Sequence, residues 1–218
     1  MNNEGNMYHA SICIPPRHWC YEPTDNIMAD RAEMNLLMHA CSFFPKPKVL
    51  ELGTYKGGTT NNMAKIVSAL GGHLVTVDVK SCPSTLPEVQ RGECLPESVV
   101  GCDIEDKYRS CITQLLVDPA EDYSYMLAEF APYDVIFYDG DHSYEGIRRD
   151  LEMLKPMRNE DCIEMLHDVW WDVTPPPVDG PLRVMQEQPK SYILNFTHIG
   201  VLRTGSMLKL LGVPNVAL

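Results

Sequence analysis

Two regions of the chain gather residue types that can do chemistry. In the first, Glu51-Leu52-Gly53-Thr54-Tyr55-Lys56-Gly57 follows a short apolar run, with one glycine at a turn and another at the start of a helical pattern. Glycines so placed let backbone approach a ligand closely, and the N–H groups of a helix start can face a carboxylate. Asp78 closes the next apolar run, where it can accept both hydroxyls of a ribose and favours an unphosphorylated 2′-hydroxyl. The same residues also suit a turn with no ligand, since any strand–helix–strand unit can turn on glycine and end a strand on aspartate. In the second region, Asp139-Gly140-Asp141-His142 and His167-Asp168 each follow an apolar run. Carboxylates and imidazoles are donors for divalent cations and bases for proton transfer. The competing use is an Asp-Gly turn chosen for its backbone preferences, with His142 at a helix start or an adenine-side contact.

These residues need elements to hold them. Thr24 and Asp25 can cap a helix to about Cys41, on which Ile27, Arg31, Met34, Met38 and Cys41 recur at helical spacing until Phe43-Phe44-Pro45 stops it. Lys48–Leu52 reads as a strand, Thr59–Leu70 as a helix ended by Gly71-Gly72, and His73–Asp78 as a second strand. Together they form one strand–helix–strand unit, whose crossover should be right-handed and whose strands should be parallel. Residues 79–110 show no clear period and read as a cysteine-containing insertion. The alternation resumes with strand Ile112–Val117, helix Ala120–Phe130, strand Tyr133–Tyr138, helix Ser143–Leu154 ended by Pro156, and strand Cys162–Leu166. After Pro175-Pro176-Pro177 come a helix near Leu182–Gln188 and a closing hairpin pair within Tyr192–Leu202. This order predicts an α/β fold, a doubly wound, mostly parallel sheet covered on both faces, with ligands bound beyond the carboxyl ends of its strands.

The totals agree with one compact domain over residues 1–218, with a helical lead-in over 1–45. At 44% hydrophobic and 22% charged residues there is a core to bury, and the formal charge of −12 repels nucleic acid and anionic membrane. Arg148, Arg149 and Lys155 sit among Glu145, Asp150 and Glu152 and read as a solvated helix face. No apolar run approaches the roughly 20 residues of a membrane span, and Met1–Met7 lacks a signal-peptide layout, so a cytoplasmic protein is expected. Cys82, Cys94, Cys102 and Cys111 are irregularly spaced and read as loop thiols before they read as a metal site.

Val49-Leu50-Glu51-Leu52-Gly53-Thr54-Tyr55-Lys56-Gly57-Gly58 resembles the first motif of class I S-adenosylmethionine-dependent methyltransferases, and Asp78 matches their second. Tyr133–Tyr144 and Leu166-His167-Asp168-Val169 are similar to the group that includes macrocin-type and caffeoyl-CoA-type O-methyltransferases. The likeness spans about Val49 to Arg203. It implies a seven-stranded Rossmann-like sheet with a reversed C-terminal hairpin and S-adenosylmethionine as cofactor. Glu51 and Gly53 would meet the methionine moiety, Asp78 the ribose and Asp118 the adenine, with Tyr55, Gly57 and Asp139 completing the cofactor contacts. Two features depart from the group. Residues 79–110 are longer than its usual connection, which weakens the place of Asp118, and Arg158-Asn159-Glu160-Asp161 replaces a common Gly-Gly turn, a change expected to affect only a loop.

In the implied topology the strands ending at Asp139 and at His167-Asp168 are neighbours, so these side chains should emerge roughly 5 Å apart. Asp139, His167 and Asp168 then suit one divalent cation, Mg, Mn or similar, with the imidazole tilting the site away from strict magnesium preference. Methyl transfer from a sulfonium is an in-line displacement, and a hydroxyl becomes a useful nucleophile as its proton leaves. Asp141 is the preferred base by its resemblance to the macrocin-type carboxylate, with His142 the other candidate. Trp170 and Trp171, or Trp19 and Tyr21, can wall an aromatic acceptor or simply pack. The expected partner is a small-molecule hydroxyl acceptor, and a homodimer is compatible with a chain of this type. The alternatives are a metal-independent methyltransferase, a relative described as a hydroxylase, a protein that binds the cofactor without turnover, and, more remotely, a nicotinamide-dependent oxidoreductase, whose Gly-x-Gly-x-x-Gly this chain lacks.

Overall fold

The computed structural model describes residues 31–80, 95–169, 180–188, 191–194 and 197–202. Thr24, Asp25 and Ile27 of the lead-in helix, Trp19, Tyr21, Cys82, Cys94, Trp170, Trp171 and the Pro175–Pro177 bend lie outside the described residues.

The alternating apolar runs form one seven-stranded sheet in the order β3-β2-β1-β4-β5-β7-β6. Its strands are β1 (Lys48–Leu52), β2 (His73–Val79), β3 (Ile112–Val117), β4 (Tyr133–Tyr138), β5 (Arg158–Leu166), β6 (Tyr192–Ile193) and β7 (Gly200–Val201). The first five run parallel. β7 is antiparallel to both β5 and β6, so the reversal of the closing hairpin resides in β7. The order reverses at β1, with β2 on one side and β4 on the other. This is the switch point of an open α/β sheet, where a ligand crevice forms.

Side chains alternate between the two faces with the period of a strand. Val49, Val135 and Phe137 pack on one face with α1 (Arg31–Ser42) and α2 (Gly58–Ala69). Leu50, Leu52, Ile136 and Tyr138 pack on the other with α3 (Ser124–Ala128), α4 (Tyr144–Leu154) and α5 (Gly180–Glu187). On α1, Met34, Met38 and Cys41 are fully buried, as their helical spacing requires, and so are Leu36, Leu37 and Ala40.

Three boundaries differ from the sequence reading. The helix expected over Ala120–Phe130 is confined to Ser124–Ala128, because Asp118 and Asp122 accept the N–H groups of Ala120 and Ser124 and hold this stretch in turns. Residues 158–161 are strand, and the departure from a Gly-Gly turn extends β5. Arg158 pairs in register with Tyr133, Asn159 hydrogen-bonds Asp134, and Arg158 reaches forward to the buried Glu164. The described part of the insertion, residues 95–110, folds back onto the glycine turn and ends in a 3-10 turn at Asp106–Cys111. There Gly101 and Asp103 donate backbone hydrogen bonds to the carbonyls of Tyr55 and Lys56.

Candidate active site

The glycine turn is a strained connection held from two sides. Gly53 and Gly57 both have φ of 97°, and Tyr55 between them has φ of 48°. A Cβ at Gly53 would collide with the backbone carbonyl of Asp139. That contact follows from the close approach of the β1 and β4 ends, where Asp139 N–H donates to the carbonyl of Leu52 at 2.9 Å. Gly57 is covered by Ile104, which a Cβ there would strike. The turn is therefore packed against the protein's own atoms at both ends, where only glycine fits.

Glu51 lies under this turn, fully buried among the residues beneath α2. Its Oε2 accepts from the hydroxyls of Thr60 at 2.6 Å and Thr76 at 2.7 Å. Oε1 has no hydrogen-bond partner. Burial pushes the carboxyl up to about 8 against those two hydrogen bonds, and the nearby charges of Asp139 and Asp78 add to the rise. An unpartnered buried carboxylate oxygen beside a glycine turn invites a cation such as an amino acid's ammonium. At the end of β2, Asp78 accepts the N–H of Tyr55 and of Val79, both at 2.7 Å. Burial raises it, opposed by those N–H groups. The backbone N–H of Thr54 faces it as well, which leaves one of its four lone-pair positions for a hydroxyl. Asp118 directly follows β3 and accepts the N–H of Ala120.

One strand spacing away, the ends of β4 and β5 bring together Asp139, His142, His167 and Asp168. His167 Nδ1 is 2.8 Å from Asp139 Oδ1 and 3.4 Å from Asp168 Oδ1. His142 Nε2 is 3.5 Å from Asp139 Oδ1 and 3.3 Å from Asp168 Oδ2. Asp168 adopts φ of 55°, a left-handed conformation that aspartate tolerates better than most residues and that turns its side chain back toward the cluster. Burial works to raise Asp139, but His167 and His142 outweigh it and hold its carboxyl well below the usual range. Burial works in the opposite sense on His167, where Asp139 and Glu33 win and raise the imidazole well above its ordinary value. His142 is raised by Asp139 and Asp168 against its burial. Asp168 is raised by burial, which its neighbouring imidazoles only partly offset. One ligand atom from each of Asp139, His142 and His167 lies within 4.8 Å of the others, a donor set that fits one divalent ion.

Asp141 stands apart from this group. Its Oδ1 accepts the N–H of Ser143 at 2.8 Å, its Oδ2 is 3.8 Å from Arg149, and its carboxylate fills the space a side chain at Gly146 would need. It lies two residues ahead of the Ser143 cap of α4.

Two members of the cluster escaped the sequence reading. Glu33 comes from α1 and is 2% exposed; its Oε2 lies 3.3 Å from His167 Nε2, and its Oε1 accepts the backbone N–H of His198 at 2.5 Å. The His198 ring, in the turn between β6 and β7, lies 3.9 Å from both Glu33 Oε1 and Asp168 Oδ1. The signal for Glu33 was a lone acid on the otherwise apolar stripe of a helix. Nothing local in the sequence marks His198.

No curated protein matches the chain by sequence. Among solved structures, a Staphylococcus aureus protein provisionally assigned as a caffeoyl-CoA O-methyltransferase is 15% identical, with a TM-score of 0.56 over 81% of this chain and 85% of that one. CalS11, a calicheamicin methyltransferase, is 16% identical, with a TM-score of 0.54 over 80% and 78%. Cofactor-bound Rv0187 from MTB is 18% identical, with a TM-score of 0.50 over 84% of each chain. Likeness at this level shows a common fold. Among the described residues, no helix is long and apolar enough to cross a membrane. The model of a family described as a methyltransferase domain matches residues 50–169, more than half of the chain, and with it the glycine turn, Asp78 and the carboxylate–imidazole edge. The chain thus belongs to this methyltransferase domain family, and its strand order and cofactor turn are those of the class I S-adenosylmethionine-dependent type.

Proposed function

We propose that this protein transfers the methyl group of S-adenosylmethionine to a hydroxyl oxygen of a small molecule, with a divalent cation held at the edge formed by Asp139, His167 and Asp168. The observation that carries this reading is the convergence of two carboxylates and two imidazoles at the β4 and β5 ends, next to the glycine turn. Glu51 and the turn at Gly53 would receive the methionine end of the cofactor, where the free Oε1 of Glu51 suits its ammonium. Asp78 would hold the ribose, and Asp118, on the next strand, the adenine side. Tyr55 and Gly57 shape the turn between them, and Asp139 closes its far wall through its backbone.

The cofactor supplies an electrophilic methyl, and a bound cation would lower the pKa of the acceptor hydroxyl and orient it. The chain's own contribution is position and proton transfer. Asp139 and Asp168, 24% and 16% exposed at their side chains, are open enough to meet solvent or acceptor. His142, just ahead of α4, faces Asp139 and Asp168 through Nε2 and would serve as the base once a cation takes up those carboxylates and its imidazole loses its proton. We assign the base to His142 in preference to Asp141, whose carboxylate is occupied at the α4 N-terminus. The charge of −12 agrees with a neutral or cationic acceptor.

A metal-independent variant of the same reaction is favoured by one contact. His167 lies 2.8 Å from Asp139, close enough to neutralise it with no cation. Calorimetric titration with S-adenosylhomocysteine tests the cofactor without knowledge of the acceptor. Micromolar binding to the wild type that weakens sharply in Asp78→Ala supports the reading, and an absence of binding overturns it. Methyl transfer across a panel of alcohols, phenols and sugars, with and without chelator, then separates the two mechanisms, since chelation abolishes turnover only if a cation is needed.

A further inference from the structure

The edge described above contains a buried carboxylate that the reaction does not use. Glu33 comes from α1, on the far side of His167 from Asp139, and it is 2% exposed on a helix face that is otherwise apolar. A carboxylate in such a place is costly unless both oxygens are paired. Here they are, and each has a separate partner: Oε1 accepts the backbone N–H of His198 at 2.5 Å, and Oε2 faces His167 Nε2 at 3.3 Å.

An imidazole that binds a cation must present one bare nitrogen, and the hydrogen bond made by the other nitrogen decides which one that is. The two nitrogens of His167 face carboxylates on opposite sides, Nδ1 toward Asp139 and Nε2 toward Glu33. Without a cation both can carry protons. When a cation is bound, one proton must leave, and the surroundings of the two sides differ. Asp139 and Asp168 are 24% and 16% exposed at their side chains, which leaves room for water or an acceptor to complete a coordination shell, whereas Glu33 is sealed and its second oxygen is already occupied. We propose that Glu33 is a positioning residue for the cation site: it holds the Nε2–H of His167, so that the Nδ1 lone pair is directed at a cation beside Asp139. The proposal rests on the reading that Asp139 and His167 share a cation. It makes α1 and the β6–β7 turn part of that site, because the His198 backbone fixes the Glu33 carboxylate in turn.

The opposite assignment is a cation between Glu33, His167 Nε2 and the His198 ring, whose ligand atoms also lie within 4.8 Å of one another. Titration of the full-length protein with manganese chloride alone separates the two, with S-adenosylhomocysteine binding as the control for an intact fold. The proposal expects Glu33→Gln to weaken manganese binding by roughly 10- to 100-fold while cofactor-product binding is unchanged. Asp139→Asn should remove manganese binding. His198→Gln should leave it within about 2-fold of wild type, because the hydrogen bond that fixes Glu33 comes from the His198 backbone N–H and survives the change. If Glu33→Gln loses S-adenosylhomocysteine binding and hence its fold, Glu33→Asp decides by the same criterion, since the shorter carboxylate draws back from His167. Wild-type manganese affinity in the folded Glu33 variant overturns the proposal and leaves the cation reading standing. Loss of binding in His198→Gln with retention in Asp139→Asn overturns it in favour of the opposite assignment. No manganese binding to the wild type defeats the cation reading, and this proposal with it.

Discussion

At the scale of single residues, the site stores its cost in Glu51 and Gly53. The Glu51 carboxyl stands at about 8, far above an unfolded glutamate's ordinary value of 4.5. A carboxyl raised on folding contributes stability that is fully present below the unfolded value and is lost as pH rises through the folded one. Wild-type stability should therefore fall between about pH 4.5 and 8 through this group. Glu51→Gln keeps an oxygen for Thr60 and Thr76 and removes the charge. Thermal melts over pH 5 to 9 should show the variant gaining several degrees on wild type as pH rises, while its affinity for S-adenosylhomocysteine drops by about 10-fold or more. A melting difference that does not change with pH would contradict this account. Gly53→Ala meets two penalties at once, a φ of 97° and the Asp139 carbonyl in the path of its Cβ. It should cost at least ~2 kcal/mol in chemical denaturation and abolish cofactor-product binding.

At the scale of elements, His142 directly precedes the cap of α4, so the start of that helix sets its position at the edge. Ser143 caps it by accepting the N–H of Gly146 at 3.0 Å, and Asp141 accepts the N–H of Ser143. Ser143→Ala should destabilise by about 1 kcal/mol, a shift of about 2–4 °C in melting temperature for a chain of this size. Asp141→Asn retains a side-chain acceptor for Ser143, so it should leave most methyl transfer intact once an acceptor is found, whereas His142→Ala should lower kcat by about 100-fold or more. The reverse ranking would return the base to Asp141. On β5, Glu164 is fully buried and held by Arg158 at 2.7 Å and by the Tyr138 hydroxyl at 2.9 Å. Arg158→Met strands that carboxylate and should cost about 3–5 kcal/mol in a denaturant titration.

At the scale of the whole molecule, the charge of −12 acts on every element at once. Self-repulsion among surface carboxylates opposes compaction and is screened within about 10 Å at 0.1 M salt. Raising sodium chloride from about 10 to about 200 mM should therefore raise the melting temperature, and a fall would mean that attractive pairs dominate the surface.

Much of this architecture is legible in the chain because its signals are local. Short, mostly apolar runs followed by glycine or aspartate mark β1 to β4 to within a residue, since a strand buried on both faces is mostly apolar and its end needs a turn. Gly53 and Asp78 could be singled out for the same reason, each standing where such a run gives way to a turn. What the tertiary structure alone decided is partnership across distance. Asp141 and His142 are adjacent in sequence, yet the start of α4 turns one toward Arg149 and the other toward Asp168. Glu33 and His198 are 165 positions apart and meet because α1 covers the β5–β7 end of one sheet face. The apolar pattern dictates which face of an element is buried, whereas the choice between neighbouring carboxylates depends on helix starts and chain crossings that no local pattern encodes.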